Sequence, residues 1–239
     1  MARSTGAELV ATLRAMPELG LLDYLRANSG LPGPRANLTL ADAFAAVADR
    51  ALILRLALAD DEYLRFCATE AIGRLLVETP NDQSLRAFLH ERATDASWRV
   101  REGAARAIQL VGDRDPVLLR EIVTDWSADD DPWVRRAALA GVCEPRLLNQ
   151  PETADLALWT CQAATDFITQ IPLPARRDPG VRNLRQALGY CWSVAVAGAP
   201  EHGLPQFEQL RASTDADVRW IVDSNLKKAR LKRLRQEGQ

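Results

Sequence analysis

The chain has few of the residues from which metal centres and disulfide bonds are built. It contains two histidines, His90 and His202, which are far apart, and four cysteines, none of them at C-x-x-C spacing. Zinc sites need three or four such ligands together, and a catalytic triad needs a histidine beside its partners. The sequence therefore predicts no metal, no cofactor and no histidine-based catalytic centre. The apolar, helical contexts of the cysteines predict reduced core residues at positions 67, 143, 161 and 191.

Aromatic residues and strand patterns are also scarce. Aromatics make up 6% of the chain, and no segment alternates apolar and polar residues as a half-buried strand does. Leu, Ala and Arg, which favour helices, dominate instead. No apolar run approaches the length of a membrane span, and the N-terminus lacks a basic region followed by an apolar stretch. These features predict an all-α protein that has neither a membrane anchor nor a secretion signal and is located in the cytoplasm.

Neither sign of charge dominates, since 30 basic and 32 acidic residues give a net charge of −2. Such a balance predicts no global attraction to nucleic acid or to a membrane. The charge is nevertheless unevenly placed, because residues 227–235 carry six positive charges in nine positions. Two interpretations of this segment are open: a solvated final helix, or an end of the protein that contacts phosphates.

One short signal recurs along the chain: an acidic turn, then Val-Arg or Leu-Arg, then an Ala-rich helix. The arginines of its five copies are separated by 36, 34, 47 and 37 residues and stand at positions 65, 101, 135, 182 and 219. A period of this size with two helices per unit is typical of a helical solenoid. The prediction is an all-α, right-handed α-solenoid that forms one domain over residues 1–239. Its parts are N-terminal helices and a loop in 1–36, repeats in 37–235 and a basic C-terminal end in 227–239.

The pattern also predicts local structure. In each turn the Asp is expected to cap the second helix, the Val to enter the core and the Arg head to meet turn acids. Residues 5–28 are expected to form one or two short helices, and residues 83–93 another. A helix starting with Thr39 as its cap, with Asp42 three positions later, is expected to run to about Leu58. The last helix is expected to be continuous over residues 218–235, and the segment 144–182 interrupts the period.

The repeats resemble HEAT repeats in their period, their Asp-x-x-Val-Arg turns and their Ala-rich second helices. Within that class, residues 97–140 and 183–210 are similar to the AlkD and AlkC type of alkylpurine DNA glycosylase. That family carries a tryptophan with an acidic residue four positions later, a second tryptophan before a Trp-x-x-Arg helix start, and an aromatic after an Ala-hydrophobic-Gly step. The matching residues here are Trp98 and Glu102, Trp126, Trp133 and Arg136, and Tyr190.

The resemblance implies a chemistry that these residue types suit. Trp98 and Glu102 are four apart on one helix and share a face, and an aromatic face attracts a cationic alkylated purine. A carboxylate stabilises the positive charge that develops on the sugar when the glycosidic bond breaks. The resemblance thus implies a catalytic Glu102, substrate binding by Trp98 and Tyr190, and excision without flipping the base into a deep pocket. Glu102 stands where the AlkD type has Asp, and Tyr190 where it has Trp.

Duplex DNA is accordingly the predicted partner. The resemblance implies that Arg136 meets the DNA backbone. Further cations can extend the same track, and they are Arg99, Arg182, Arg185, Lys227 and Lys228.

Other interpretations remain open at this point. In one of them Trp98 packs on the preceding repeat, and Glu102 pairs with Arg99, Arg101 or Arg106. Trp126 and Trp133 are expected to be packing residues, and Trp192 a core residue. The chain as a whole is also compatible with a HEAT-type adaptor for a protein partner, or with a DNA-structure binder without catalysis. No membrane partner is predicted, and the protein is expected to be a monomer.

Overall fold

The computed structural model describes residues 5–237, which contain fourteen α-helices and no β-strand. The prediction of an all-α protein is confirmed. The helices divide into two compact units, one ending at Val111 and the other beginning at Gly112. None of the helices in residues 5–237 combines the length and the apolar character needed to cross a bilayer.

The first unit contains seven helices, whose starts are set mainly by side-chain caps. Asn37, Asp49, Asp61 and Asp82 each accept a hydrogen bond from a backbone N–H in the first turn of the following helix. The helices are α1 (Gly6–Arg14), α2 (Glu18–Ala27), α3 (Leu38–Val47), α4 (Arg50–Leu56), α5 (Glu62–Glu78), α6 (Gln83–Ala93) and α7 (Trp98–Gly112).

Two predictions about this unit are corrected. The cap of α3 is Asn37 rather than Thr39, since the Asn37 side chain accepts from the N–H of Leu40. The helix expected to continue to Leu58 is broken into α3 and α4. Asp49 accepts from the N–H of Leu52 at 2.8 Å and starts a new helix there, because a short acceptor side chain satisfies free donors at a helix start.

Helices α5 and α7 approach each other closely. A Cβ placed on Gly73 of α5 would lie 2.2 Å from the carbonyl oxygen of Ala107 on α7. Only a residue without a side chain fits there. Arg106 of α7 also reaches across to Glu70 of α5 and to Asp42 of α3, so three helices are linked by one guanidinium group.

The second unit also contains seven helices, arranged as repeats. α9, α11 and α13 pack in succession, and α8, α10 and α12 pack against them as a second layer. The helices are α8 (Pro116–Ser127), α9 (Pro132–Val142), α10 (Pro151–Gln170), α11 (Pro179–Gly198), α12 (Pro200–Arg211), α13 (Ala216–Leu226) and α14 (Ala229–Glu237).

The expected continuous helix over residues 218–235 is wrong, because the structure has a break between α13 and α14. Asn225 is fully buried, and its side-chain amide donates to the carbonyl oxygens of Ile221 and Leu188, both at 2.8 Å. An Asn that binds the carbonyl four residues earlier competes with the helical backbone bond. The N–H of Lys228 then bonds to the carbonyl of Asn225 at 2.9 Å, which tightens and ends the helix.

The recurring turns are closed largely by main-chain contacts of their arginines. Arg65, Arg101 and Arg135 each donate to carbonyl oxygens of the turns that precede them. The predicted contact with a turn acid is seen for Arg65, whose Nε lies 3.2 Å from Asp95. The arginines of the last two copies, at positions 182 and 219, are exposed instead.

The segment 144–182 is an elaborated repeat. It contains α10, and the Pro-rich stretch after it forms a short 3₁₀ turn, Ala175–Arg177. Arg176 anchors this stretch, because it donates to the carbonyl of Ile171 at 2.7 Å and pairs with Asp215 and Asp217. The four cysteines are buried, as predicted.

Candidate functional site

The candidate site residues of the first unit lie on α7, which begins after a polar turn. The Ser97 hydroxyl oxygen accepts from the N–H groups of Arg99 and Val100, at 3.2 and 3.4 Å. Trp98 therefore stands in the first turn, where the residue is 55% exposed. The guanidinium carbon of Arg99 lies 4.5 Å from the centroid of that ring. Trp98 is thus accessible, and one cation of the protein already stacks on it.

Arg99 has its charge compensated within the protein. Its Nη1 donates to Glu62 at 3.1 Å and its Nη2 to the carbonyl of Gly33 at 3.2 Å. The side chain is only 14% exposed. Arg99 was predicted to contact DNA, and its geometry fits a residue that orients Trp98 better than one that meets a phosphate.

Glu102 is half-buried one turn after Trp98, on the same side of α7. Arg106 follows after a further turn, with its Nε 2.7 Å from Glu70 and its Nη2 2.6 Å from Asp42. Burial lowers the pKa of Arg106, but the hydrogen bond and charge of Glu70 and the charges of Asp42 and Glu102 raise it by more. The net effect is a raised pKa, so this group stays cationic. Glu102 therefore lies in the field of a permanent positive charge.

The side chain of Glu70, which pairs with Arg106, is completely buried. Burial raises its pKa to about 8, against the opposing effect of Arg106. This carboxyl group holds α5 against α7 and α3. It has no exposed surface on which to meet a ligand.

The second unit carries the other predicted residues. Trp126 is buried, as expected of a packing residue. Trp133 and Arg136 are half-buried on one side of α9. A Cβ on Gly180 would lie 3.0 Å from the Trp133 indole nitrogen, so this ring packs over the start of α11.

Tyr190 of α11 is surrounded by cations. The residue is 42% exposed, and its hydroxyl oxygen accepts from Nη2 of Arg230 at 2.8 Å. The guanidinium carbon of Arg230 lies 4.8 Å from the ring centroid, and Nζ of Lys228 lies 5.4 Å from it. The break between α13 and α14 brings both cations to this ring. Trp192, two positions further on, is fully buried, which confirms the prediction that it is a core residue.

A second aromatic and cation pair lies beside Tyr190. Trp220 of α13 is 40% exposed and packs over Gly189, where a Cβ would approach the ring to 2.9 Å. The guanidinium carbon of Arg185 stacks on this ring at 4.8 Å, while its Nη1 donates to Asp217 at 2.5 Å. Arg185 is thus held in place by both a ring and a carboxylate.

The predicted set is therefore divided between the units. Trp98, Arg99 and Glu102 lie together on α7, while α9, α11 and the α13–α14 junction carry the others, which are Arg136, Arg185, Tyr190, Lys227 and Lys228.

Sequence reasoning missed Arg230, which makes two contacts with Tyr190, because the helix break was not foreseen. A signal was present in the composition. The three lysines of the chain all lie within residues 227–232, on either side of Arg230. Outside this segment the basic side chains are arginines and two histidines, and many of those arginines are used in turns and ion pairs.

Comparisons with known proteins bear on this architecture. Residues 50–143 match the family of HEAT repeats. The crystal structure of AlkD2 from Streptococcus mutans superposes with a TM-score of 0.65 and 16% identity, covering 87% of this chain and 97% of that chain. Two designed armadillo repeat proteins give TM-scores of 0.37 and 0.39 at 15% and 14% identity, each covering 94% of this chain and 99% of theirs. No curated protein matches the sequence.

The predicted fold class is thereby confirmed: residues 50–143 match HEAT repeats, and the chain has a fold similar to that of AlkD2. At 16% identity the likeness to AlkD2 shows the fold alone.

Proposed function

We propose that the protein binds duplex DNA through the face that α11, α13 and the start of α14 form in the second unit. The observation that carries this proposal is the pairing of exposed aromatic rings with cations. Tyr190 and Trp220 are both exposed and each is stacked by a cation. Arg182, two turns before Tyr190 on the same stripe of α11, and Lys227 are exposed and form no ion pair within residues 5–237.

Cations without an internal counter-ion suit a phosphate backbone. Binding a duplex releases its condensed counterions, so each phosphate neutralised strengthens binding at low salt. Backbone contacts fix position without reading sequence. The resemblance to AlkD-type glycosylases and the fold shared with AlkD2 support DNA as the partner. Arg185 on α11 and Arg136 on the neighbouring α9 remain proposed contacts.

The first test is the affinity for an undamaged duplex, measured by fluorescence anisotropy over a range of salt concentrations. The negative slope of log K against log salt should become shallower in the double variant Arg182→Gln/Lys227→Gln. The expected change is about 0.9 for each phosphate that is no longer neutralised. The matched control is Arg114→Gln/Arg120→Gln, which removes two exposed charges at and just before α8, in the other layer. Absence of salt-sensitive binding by the wild type would contradict the proposal and favour a protein adaptor.

Base excision is a second candidate function, favoured by the arrangement on α7. Trp98 is exposed, the Arg99 that stacks on it has its charge compensated by Glu62, and Glu102 follows one turn later on the same side. A cationic alkylated purine is already a good leaving group, so little acid catalysis is needed. A fixed carboxylate near the sugar would stabilise the positive charge of an oxocarbenium-like transition state and position water. A DNA binder without this chemistry would share the same fold.

The test of excision is the release of 3- or 7-alkylpurine from methylated duplex. We expect release by the wild type and loss of release in Glu102→Gln, while duplex binding stays unchanged, because only the negative charge is removed. Glu102→Asp, which keeps the carboxylate, should retain part of the activity. Equal release by wild type and Glu102→Gln would remove Glu102 from the mechanism. No release by any of them, with protein in excess, would leave binding as the function.

A further inference from the structure

Within residues 5–237, the cations around Tyr190 have no carboxylate partner. Neither Lys228 nor Arg230 forms an ion pair with any acidic side chain in this described part of the chain. Both nevertheless lie against one ring, Arg230 at 4.8 Å and Lys228 at 5.4 Å from its centroid. Like charges that share one ring repel each other, and an anion bound near both would relieve that repulsion.

The cluster also carries hydrogen-bond donors that suit an anion. The hydroxyl oxygen of Tyr190 accepts from Arg230, which leaves its own O–H proton free to donate. The ammonium of Lys228 and the other N–H groups of Arg230 are further donors. The start of α14 at Ala229 adds the positive end of a nine-residue helix beside them.

The same geometry disfavours a cationic ligand on this ring. An aromatic face attracts cations through its quadrupole, but here two cations of the protein already occupy positions near it. A positively charged alkylpurine stacked on Tyr190 would meet both of them. The resemblance implied that Tyr190 binds the lesion, and its surroundings fit the opposite charge.

We infer that Tyr190, Lys228 and Arg230 form a phosphate-binding site, in which Tyr190 contacts an oxyanion rather than a damaged base. The inference that this phosphate belongs to a DNA backbone rests on the proposed function. The site itself requires only a phosphate group, whether it is carried by DNA or by a small ligand. Arg230 is then a binding residue in its own right, and the Tyr190 hydroxyl is the group that orients it.

A lysine-directed reagent tests the site without DNA. Because the three lysines lie within residues 227–232, acetylation followed by mass spectrometry reports on this segment alone, apart from the N-terminal amine. Inorganic phosphate should slow acetylation of Lys228, while the exposed Lys232 serves as the internal control and chloride at equal ionic strength as the salt control. Arg230→Gln should abolish the protection. Acetylation of Lys228 at the same rate with and without phosphate would overturn the site.

Duplex binding then tests the source of the phosphate. Tyr190→Phe keeps the ring and the net charge and removes only the hydroxyl, and it should weaken binding to methylated and unmethylated duplex equally. Arg230→Gln should also make the negative slope of log K against log salt shallower by about 0.9. Arg233→Gln, an exposed charge of the same helix that does not stack on Tyr190, is the matched control. Thermal melting checks that each variant is folded.

The outcomes separate the two proposals. Protection of Lys228 by phosphate without any duplex binding would support the site and contradict the DNA function. Duplex binding that is unaffected by Tyr190→Phe and Arg230→Gln would support the function and overturn the role of this site in it. A loss of binding in Tyr190→Leu that is confined to methylated duplex would show that the ring receives the base, and would overturn the inference.

Discussion

At the scale of single residues, spacing within a helix is informative and pairing across helices is not. The i, i+4 relation correctly places Trp98 and Glu102 on one side of α7. The partner of Arg99 is Glu62, 37 positions earlier, and the partner of Tyr190 is Arg230, 40 positions later. Such pairs depend on how repeats stack, which a single sequence does not specify. The sequence therefore indicates candidate residues but not which of their charges are already compensated.

Glu70 leads to a prediction about pH. Its pKa is raised by burial from an ordinary value of 4.5 to about 8, so between these values the folded state holds one proton more than the unfolded state. The free energy of unfolding should therefore fall as the pH rises from about 5 to about 8, with a slope from this group of at most about 1.4 kcal/mol per pH unit. Below pH 4.5 the stabilising contribution is fully present.

Chemical denaturation at several pH values measures this dependence. Glu70→Gln carries no titrating group and should lose that part of the slope. Glu78→Gln, an exposed carboxylate of the same helix, should keep the wild-type slope. Identical slopes in wild type and Glu70→Gln over about pH 5–8 would show that Glu70 does not carry a proton in the folded protein.

At the scale of helices, the sequence predicts well where a helix occurs, but it does not predict where a helix is interrupted. The bounds of α6 agree in full with the expected helix over residues 83–93, because Asp82 and Thr94 flank an uninterrupted helical pattern. The breaks before α4 and before α14 are absent from the sequence-based prediction. Each depends on a side chain that bonds to the backbone, Asp49 in one case and buried Asn225 in the other. Asp and Asn also occur inside helices, so their presence alone does not mark an end.

The contact between α5 and α7 gives a prediction at this scale. Gly73→Ala would place a Cβ 2.2 Å from the carbonyl oxygen of Ala107, and backbone cannot yield as a flexible side chain does. The two helices must separate, which should lower the free energy of unfolding by about 1–3 kcal/mol or more. Gly20→Ala is the matched control, since its nearest neighbour would be 3.7 Å away. It should stabilise α2 by about 0.5–1 kcal/mol. Chemical denaturation measures both, and a Gly73→Ala variant as stable as Gly20→Ala would rule out this close approach.

At the scale of the whole molecule, the recurring turn signal specifies the fold class because it marks one repeat after another along the chain. In four of the five turns an Asp caps the helix that follows, as at Asp61, Asp131 and Asp215, whereas α7 is capped by Ser97. Function is less accessible, since the candidate surface of the second unit depends on where α14 begins. The expectation of one continuous domain stays a prediction, and so do the monomeric state and the cytoplasmic location.

The buried cysteines make the two units separately observable. Burial raises the pKa of Cys67 and of Cys143, so neither thiol reacts readily while its core is closed. One of the four cysteines lies before Val111 and three lie after Gly112. The number of cysteine thiols alkylated with time, under native conditions, therefore reports which core opens first. If one thiol is alkylated early, the first unit opens first. If three thiols are alkylated together, the second unit opens first. The chain thus carries its own kinetic marker of local unfolding, with no label added.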